Sequence, residues 1–410
     1  MAITAAAAAT PATKTIGAAL QLGGTNAVAQ FLEYVNQVIR FGTKIEKSSQ
    51  ETDQILRELV QKANQQVGRS LAKVVPVVVS FAGPVKEDGK TGTPTNFQIN
   101  GKNEAINLED HLNSINPNGA KFQVEVLNDS NALINAAAIN YKNLVELGDN
   151  IYEGIMGTGM GGSGGTIAKE GVTKINANEP GHEIMPYLSK FELIEGKDRQ
   201  GMTSPVSKNT GYVELYTAGG NTNDRGLMAT VKNLKAIAAP TNAQNITNTE
   251  LRAWFIKRQQ VVDLLNKTLA ENGVKDSAIE VGDLYRSSIM SKDKEYSNKE
   301  ITKAAKNGDV LAKALVNFTL IRASHALAQS IKSQGHNKPV ALVSVTGSFN
   351  KGLRNAVDPN GDLQFRVLNT ELKTLGHHGI KDNDPKRLVQ FDPELDGTPL
   401  ILEERLKAAV

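Results

Sequence analysis

The first half of the chain alternates short apolar runs with turns rich in Gly, Pro, Asn and Asp, a pattern typical of strands. The runs predict strands at 15–22, 27–36, 37–43, 74–79 and 122–127. Apolar residues at helical spacing predict helices from Ser48 or Ser49 to about residue 66, and over 132–141. The last two strands are apolar on both faces, so we expect them to be buried and parallel, in a mixed sheet covered by helices.

The same order of elements begins again near residue 150. An apolar run at 151–156 leads into a glycine-rich turn at 157–162, and strands are predicted at 163–169 and 172–175. This strand, glycine turn and strand repeat the opening at 20–30, although the two sequences barely match. We therefore expect a duplicated α/β fold, with two βββαβ-type halves around a cleft.

Beyond residue 220 the pattern becomes mainly helical. Residues 221–300 are rich in Asn, Lys and Thr and include helical stretches such as 251–269, which predicts a helical insertion. Further elements are expected as a long helix from Asp309 to about residue 333, a buried strand at 340–345 and an amphipathic helix at 401–409. The expected domains are a small lobe of residues 14–130 with about 390–410, and a large lobe of residues 131–389.

Composition narrows the class of protein. A chain of 410 residues is too long for one ordinary core, so two domains are expected. The 46 basic and 43 acidic residues nearly balance, and no basic run is interleaved with aromatics, so neither nucleic acid nor a membrane surface is expected as a partner. No apolar run approaches the ~18 residues that span a bilayer.

The chain has no cysteine. Disulfides, thiolate metal sites and a Cys nucleophile are therefore excluded, and a reducing compartment fits. Residues 1–13 lack the basic and Leu-rich regions of a signal peptide, so a cytoplasmic protein is expected. No His has a metal-ligand spacing with another His or a carboxylate, and no protein-held metal is predicted.

Two glycine-rich turns are candidates for phosphate binding. Glycine lets backbone N–H groups approach a phosphate closely, and a Thr adds a hydroxyl donor. The candidate residues are Gly23, Gly24 and Thr25 in the first turn, and Gly157, Thr158, Gly159 and Gly161 in the second. Either turn could also be only a tight hairpin. Residues 159–164 match the dinucleotide fingerprint, but that motif must open a helix, whereas 166–171 predicts a hairpin.

Three polar side chains follow predicted strands. Asp129 comes directly after the strand at 122–127, where α/β folds place reactive groups, and its carboxylate could accept a proton from a hydroxyl. The alternative is an ordinary helix N-cap. Glu179 and His182 could hold adjacent sugar hydroxyls, one accepting and the other donating, or could simply be surface residues.

Together these motifs resemble the ROK family of repressors and sugar kinases, and the bacterial glucokinases, within the actin–hexokinase ATPase superfamily. The matching segments are QLGGT at 21–25, TNF at 95–97 after the Gly-Pro at 83–84, NDSNA at 128–132, GTGMGG at 157–162, EPGH at 179–182, GYVE at 211–214 and TGS at 346–348. The resemblance covers about residues 16–406 apart from the insertion. It implies a two-lobed, actin-like (ribonuclease H-like) ATPase fold.

The resemblance also implies an activity, the ATP-dependent phosphorylation of a hexose, foremost glucose to glucose 6-phosphate in glycolysis. Asp129 would be the general base. The implied hexose-binding residues are Asn96, Asn128, Glu179, His182 and Glu214. Gly347 would join the two glycine turns in holding ATP with Mg²⁺. A homodimer is implied, and no zinc is expected because the family's cysteine cluster is absent. The identity of the hexose, and ATP against polyphosphate as donor, stay open.

One departure from the family pattern concerns Gln21, which stands where the family has an Asp near Mg²⁺. Glutamine keeps the shape of the side chain but removes the negative charge, and metal-assisted charge neutralisation is central to phosphoryl transfer. The alternative function is therefore a non-catalytic relative that binds sugar or nucleotide. A DNA-binding role is not expected, because no helix-turn-helix pattern precedes the first strand.

Overall fold

Two groups of elements, each with its own sheet, make up the computed structural model. The first unit is Met1–Tyr141 with Pro393–Val410, and the second is Lys142–Asp392. The structure describes residues 14–23, 26–35, 38–67, 74–94, 97–117, 119–156, 160–169, 171–178, 194, 226–239, 247–335 and 338–408. The first boundary follows Tyr141, at the end of a helix, whereas the sequence analysis put it after Ser130, near the start of that helix.

The strands of the first unit are β1 (Lys14–Leu22), β2 (Asn26–Val35), β3 (Val38–Ser48), β4 (Val74–Phe81), β5 (Thr91–Gly92), β6 (Ile106–Asn107) and β7 (Lys121–Asn128). Five of them form one sheet in the order β3-β2-β1-β4-β7, and β5 and β6 pair separately. Its helices are α1 (Thr52–Val67), α2 (Leu108–Ser114), α3 (Asp129–Asn140) and α11 (Thr398–Ala408). The neighbours of β1 differ in direction, because β2 is antiparallel and β4 parallel to it.

Both faces of β1 are buried, and alternation separates their contacts. Ile16 and Leu20 belong to one core cluster with the apolar face of α1. Ala19 belongs to a second cluster, with Leu402 of α11. Gly17 and Ala19 of β1 are small where α11 lies close: a Cβ added at Gly17 would come within 2.9 Å of Leu402 Cδ1.

The turn Glu394–Gly397 precedes α11 and packs with it on this face. Leu395, Asp396 and Gly397 have φ values of 48°, 51° and 78°, in the left-handed region that costs non-glycine residues energy. Leu395 is buried in the second cluster, which holds the turn in place. A Cβ on Gly397 would lie 2.1 Å from the Cβ of Ala136 in α3, so only glycine fits there.

The second unit repeats the topology of the first. Its sheet has the order β10-β9-β8-β11-β12, formed by β8 (Asn150–Met156), β9 (Met160–Ala168), β10 (Gly171–Asn178), β11 (Val340–Thr346) and β12 (Leu388–Gln390). The first three strands form antiparallel pairs, and β8, β11 and β12 are parallel, as β1, β4 and β7 are in the first unit. The duplication predicted from the repeated glycine turns is confirmed.

The helices of the second unit surround the long buried helix α8. They are α4 (Gly226–Ala238), α5 (Asn248–Glu271), α6 (Asp283–Arg286), α7 (Asn298–Lys306), α8 (Val310–Ser333), α9 (Ser348–Val357) and α10 (Asp362–Thr374). Asp309 caps α8 as predicted, and α4 to α6 lie within the expected helical insertion. Among the described residues, no helix is both long and apolar enough to cross a bilayer.

Several element predictions need correction. β3 continues to Ser48, beyond the expected end at 43, because it is an edge strand whose mostly exposed positions lack an apolar signal. Helices α2, α9 and α10 were not predicted. α2 is only seven residues long, and α9 carries Gly352 in its interior, which weakens a helical pattern. α11 starts at Thr398 rather than at 401.

The Gly397 contact gives a stability prediction. Gly397→Ala combines a strained left-handed alanine with a steric clash against α3, so we expect a loss of roughly 2–4 kcal/mol in unfolding free energy. Gly89→Ala is the control, because Gly89 is left-handed at φ 62° with nothing near its missing Cβ. That variant should lose about 1 kcal/mol. Equal losses in denaturant unfolding would contradict the packing argument.

Candidate functional site

Strand register brings polar residues together at one edge of the first sheet. Gln21 pairs with Ser80, and Ser80 pairs with Leu127, so the carboxyl ends of β1, β4 and β7 form one row. Gln21 points to the same face as Gly17 and Ala19, the face covered by α11 and its preceding turn. Carboxyl ends of parallel strands are where α/β folds place binding and reactive groups.

Asp129 stands at the first position of α3, immediately after β7. The cap of this helix is its neighbour Asn128, whose Oδ1 accepts from the N–H of Ser130 at 3.2 Å. Asn128 takes the N-cap position, and the Asp129 carboxyl also accepts from the Ser130 N–H, at 2.8 Å. Burial, and next the negative charge of Asp396, raise the pKa of the Asp129 carboxyl to about 6.

Asn128 uses both ends of its amide within the fold. Besides capping α3, it accepts from the Ser130 hydroxyl at 2.7 Å, and its Nδ2 donates to the carbonyl of Gly83 at 3.1 Å. These bonds join the start of α3 to the loop after β4. Both ends of the Asn128 amide are thus engaged by protein groups, which orient it at the start of α3.

Asp396 was missed by the sequence analysis. Its Oδ2 accepts from the hydroxyl of Ser80 at 2.6 Å, and the side chain of Gln21 also donates a hydrogen bond to it. Burial raises the pKa of this carboxyl, and the two donors oppose that rise. The available signal was an Asp-Gly pair, which marks a turn but says nothing of the turn's neighbours.

The remaining predicted site residues divide between described and undescribed parts of the chain. Gly23 donates its N–H to the carbonyl of Asn26 at 3.0 Å, closing the β1–β2 hairpin, and Gly161 lies within β9 opposite Ile155. Gly347 precedes α9 with φ 115° and donates its N–H to Asp392 Oδ1 at 2.8 Å. Outside the described residues lie Gly24, Thr25, Asn96, Gly157, Thr158, Gly159, Glu179, His182 and Glu214.

The second unit has a buried acid at the corresponding edge of its own sheet. Glu153 of β8 is fully buried, and burial is the largest cause raising its pKa to about 8, with the charge of Asp392 adding to it. The hydroxyl oxygen of Thr346 makes short contacts with both Glu153 Oε1 and the carbonyl of Phe391. A hydroxyl has one proton and the carbonyl can only accept, so a protonated Glu153 that donates to Thr346 satisfies both contacts.

No family model and no curated protein matches this chain in sequence. Solved structures do match. Glucokinase from Balamuthia mandrillaris, in complex with glucose, is 13% identical with a TM-score of 0.52, covering 96% of this chain and 94% of its own. The ROK hexokinase from Thermus thermophilus is 15% identical with a TM-score of 0.50, covering 97% and 99%.

A third similar structure is a ROK-family transcriptional regulator, a homologue of the E. coli MLC protein, at 13% identity and a TM-score of 0.52. The match covers 96% of this chain and 78% of the regulator. These structures define the fold: the chain has the mixed α/β, actin-like ATPase fold found in ROK-family sugar kinases. The resemblance inferred from the order of the motifs is confirmed at that level.

Asp129 makes stability depend on pH. Its pKa is higher in the folded chain than in the unfolded chain, so its contribution to stability is full at low pH and is lost as pH rises through about 6. Asp129→Asn removes this loss. Relative to wild type, the variant should gain about 2 kcal/mol in unfolding free energy between pH 4.5 and 7.5. The same difference at both pH values would contradict the raised pKa.

Glu153→Gln tests the neutral acid in the second unit. Wild-type stability should fall as pH rises from about 4.5 to about 8, because over that range the acid ionises in the unfolded chain while burial keeps it protonated in the fold. The glutamine side chain does not ionise, so the unfolding free energy of the variant relative to wild type should rise by roughly 4 kcal/mol between pH 5 and pH 9 in denaturant titrations. An advantage independent of pH would show that Glu153 is already ionised in the fold.

Proposed function

We propose that the protein is an ATP-dependent hexose kinase in which Asp129 is the general base. The observation that carries the proposal is Asp129 itself: a half-buried carboxyl at the carboxyl end of a parallel strand, one position past the N-cap residue Asn128. A base with a pKa of about 6 is mostly ionised at neutral pH yet basic enough to take a hydroxyl proton. The fold of ROK-family sugar kinases supports the same activity.

In this proposal Asp129 accepts the proton of the sugar 6-hydroxyl while the hydroxyl oxygen attacks the γ-phosphorus of ATP. A new P–O bond forms, the bond to the β-phosphate oxygen breaks, and ADP leaves. Asn96, Asn128, Glu179, His182 and Glu214 are proposed to bind the hexose. The phosphates are assigned to the two glycine turns with Gly347.

Mg²⁺ would neutralise phosphate charge in such a transfer. Within the described residues no cluster of three acidic or His side chains could hold a metal alone. The oxygen donors of Gln21, Asp129 and Asp396 nevertheless lie at one edge of the sheet and are of the hard type that Mg²⁺ accepts. We propose that the ion binds mainly through the nucleotide and water, with these side chains nearest to it.

A non-catalytic sugar-binding protein is the second candidate, and Gln21 is the observation that favours it. The regulator among the similar structures shows that the fold is not confined to kinases. Asp129 argues for catalysis, because binding alone needs no base.

Phosphorylation is tested by incubating the protein with ATP or polyphosphate and a panel of glucose, mannose, fructose and N-acetylglucosamine, and measuring the sugar phosphate formed. Glucose with ATP is the expected pair. Asp129→Asn should lower turnover by about 10²–10⁴-fold while glucose still binds by calorimetry. Asp110→Asn, an exposed acid in the first turn of α2, is the matched control and should stay active.

Two outcomes would contradict the proposal. Unchanged turnover in Asp129→Asn would show that the base is misassigned. Sugar binding without product from any donor would favour the non-catalytic candidate. The homodimer stays a prediction from the family resemblance.

A further inference from the structure

A pocket of about 170 Å³ lies in the second unit, between one face of α4 and the loop that precedes α7. The helix face is formed by residues at i, i+3, i+4 and i+7, beginning at Met228, so their side chains point the same way. Two of them are Lys232 and Lys235, and the loop adds Lys292 and Lys294. The pocket lies in the Lys-rich insertion, to which the proposed function gives no role.

The lining of this pocket is strongly positive. Its described residues bring four ammonium groups and one carboxylate, that of Glu295. A second acid, Glu300 in the first turn of α7, lies 2.8 Å from the Nζ of Lys294. Four positive charges therefore face two negative ones. The excess of two matches a phosphate ester, which carries a charge of about −1.5 to −2 at neutral pH.

Lys235 joins the helix to the loop across the pocket. Its Nζ donates to the backbone carbonyl of Lys294 and lies 4.8 Å from the centre of the Tyr296 ring. Burial lowers the pKa of this lysine, and the charge of Glu295 opposes that fall. An ammonium group has three N–H donors, so Lys235 can hold the loop and also donate to a ligand. An anion in the pocket would stabilise a charge that burial disfavours.

Tyr296 fixes the shape of the loop. Its hydroxyl donates to the carbonyl of Ser288 at 2.5 Å. The Nζ of Lys294, like that of Lys235, lies 4.8 Å from the centre of its ring, and aromatic ring faces attract cations. Two of the four lysines are thus held in place by the protein itself. A preorganised site pays less to order its side chains when a ligand binds.

The pocket also has an apolar part, formed by Met228 and the buried Val231. Small-molecule sites combine apolar walls with a few polar groups that orient the ligand. The volume of about 170 Å³ is below the roughly 300–1,000 Å³ of sites for drug-sized ligands, which indicates a small occupant. Lysine ammonium groups bind phosphate as point charges.

We propose that this pocket binds a small phosphomonoester, with its phosphate against Lys235, Lys292 and Lys294 and its carbon chain against Met228 and Val231. None of the described lining residues is a candidate catalytic, sugar-binding or phosphate-binding residue of the proposed kinase. The site is therefore additional to that function and can be tested whether or not the protein is a kinase.

The test uses protein labelled with 3-fluorotyrosine, in which Tyr296→Phe identifies the ¹⁹F NMR signal of Tyr296. Propyl phosphate, added at constant ionic strength, should shift this signal until it saturates, whereas 1-propanol should not. Lys235→Gln and Lys292→Gln should each weaken binding by about tenfold or more, because each removes a charged contact to phosphate. Lys299→Gln is the matched control, an exposed lysine in the first turn of α7 outside the lining, and should leave the affinity unchanged.

Three results would overturn the inference. One is a Tyr296 signal that stays in place, or that sodium chloride moves as far as propyl phosphate does. Another is equal weakening by Lys299→Gln, which would indicate general attraction to a basic surface. The third is inorganic phosphate binding as tightly as the ester, which would exclude a contact to the carbon chain. Should Lys235→Gln fail to fold, an unchanged affinity in Lys292→Gln overturns the inference equally.

Discussion

The register between β1, β4 and β7 is the constraint on which the candidate site depends. It places Gln21 and Ser80 side by side, and it starts α3 one residue after the end of β7. A slip of one residue would turn each of these side chains to the opposite face of the sheet. The register is secured because both faces of β1 are buried, with Ile16 and Leu20 towards α1 and Ala19 towards α11.

Much of the fold could be read from the sequence because its signals are local. Apolar runs bounded by glycine gave the central strands, and the second glycine turn gave the duplication. The hydrophobic pattern was weaker in the second half of β3, where most side chains are exposed to solvent. It was also weaker in α9, where Gly352 interrupts the helical pattern. The division into units needed contacts between distant segments, which no local pattern contains.

The site was only half predictable for the same reason. Asp129 could be found from its place after a buried strand, and its neighbour Asn128 takes the N-cap position of α3. Asp396 could not, because its partners lie at the other end of the chain and its turn depends on a contact between Gly397 and Ala136. From the sequence alone, Gln21 suggested the loss of a metal-associated carboxylate. In the structure its side chain is a hydrogen-bond donor to Asp396.

The last segment of the first unit, Pro393–Val410, is covalently remote from the sheet that it covers. Its turn carries Asp396, whose negative charge helps to raise the pKa of Asp129, 267 positions earlier in the chain. Removing this segment would thus change the surroundings of Asp129 without altering any residue of the first half. Because α11 packs against β1, a fusion or tag placed after this segment belongs on a flexible spacer.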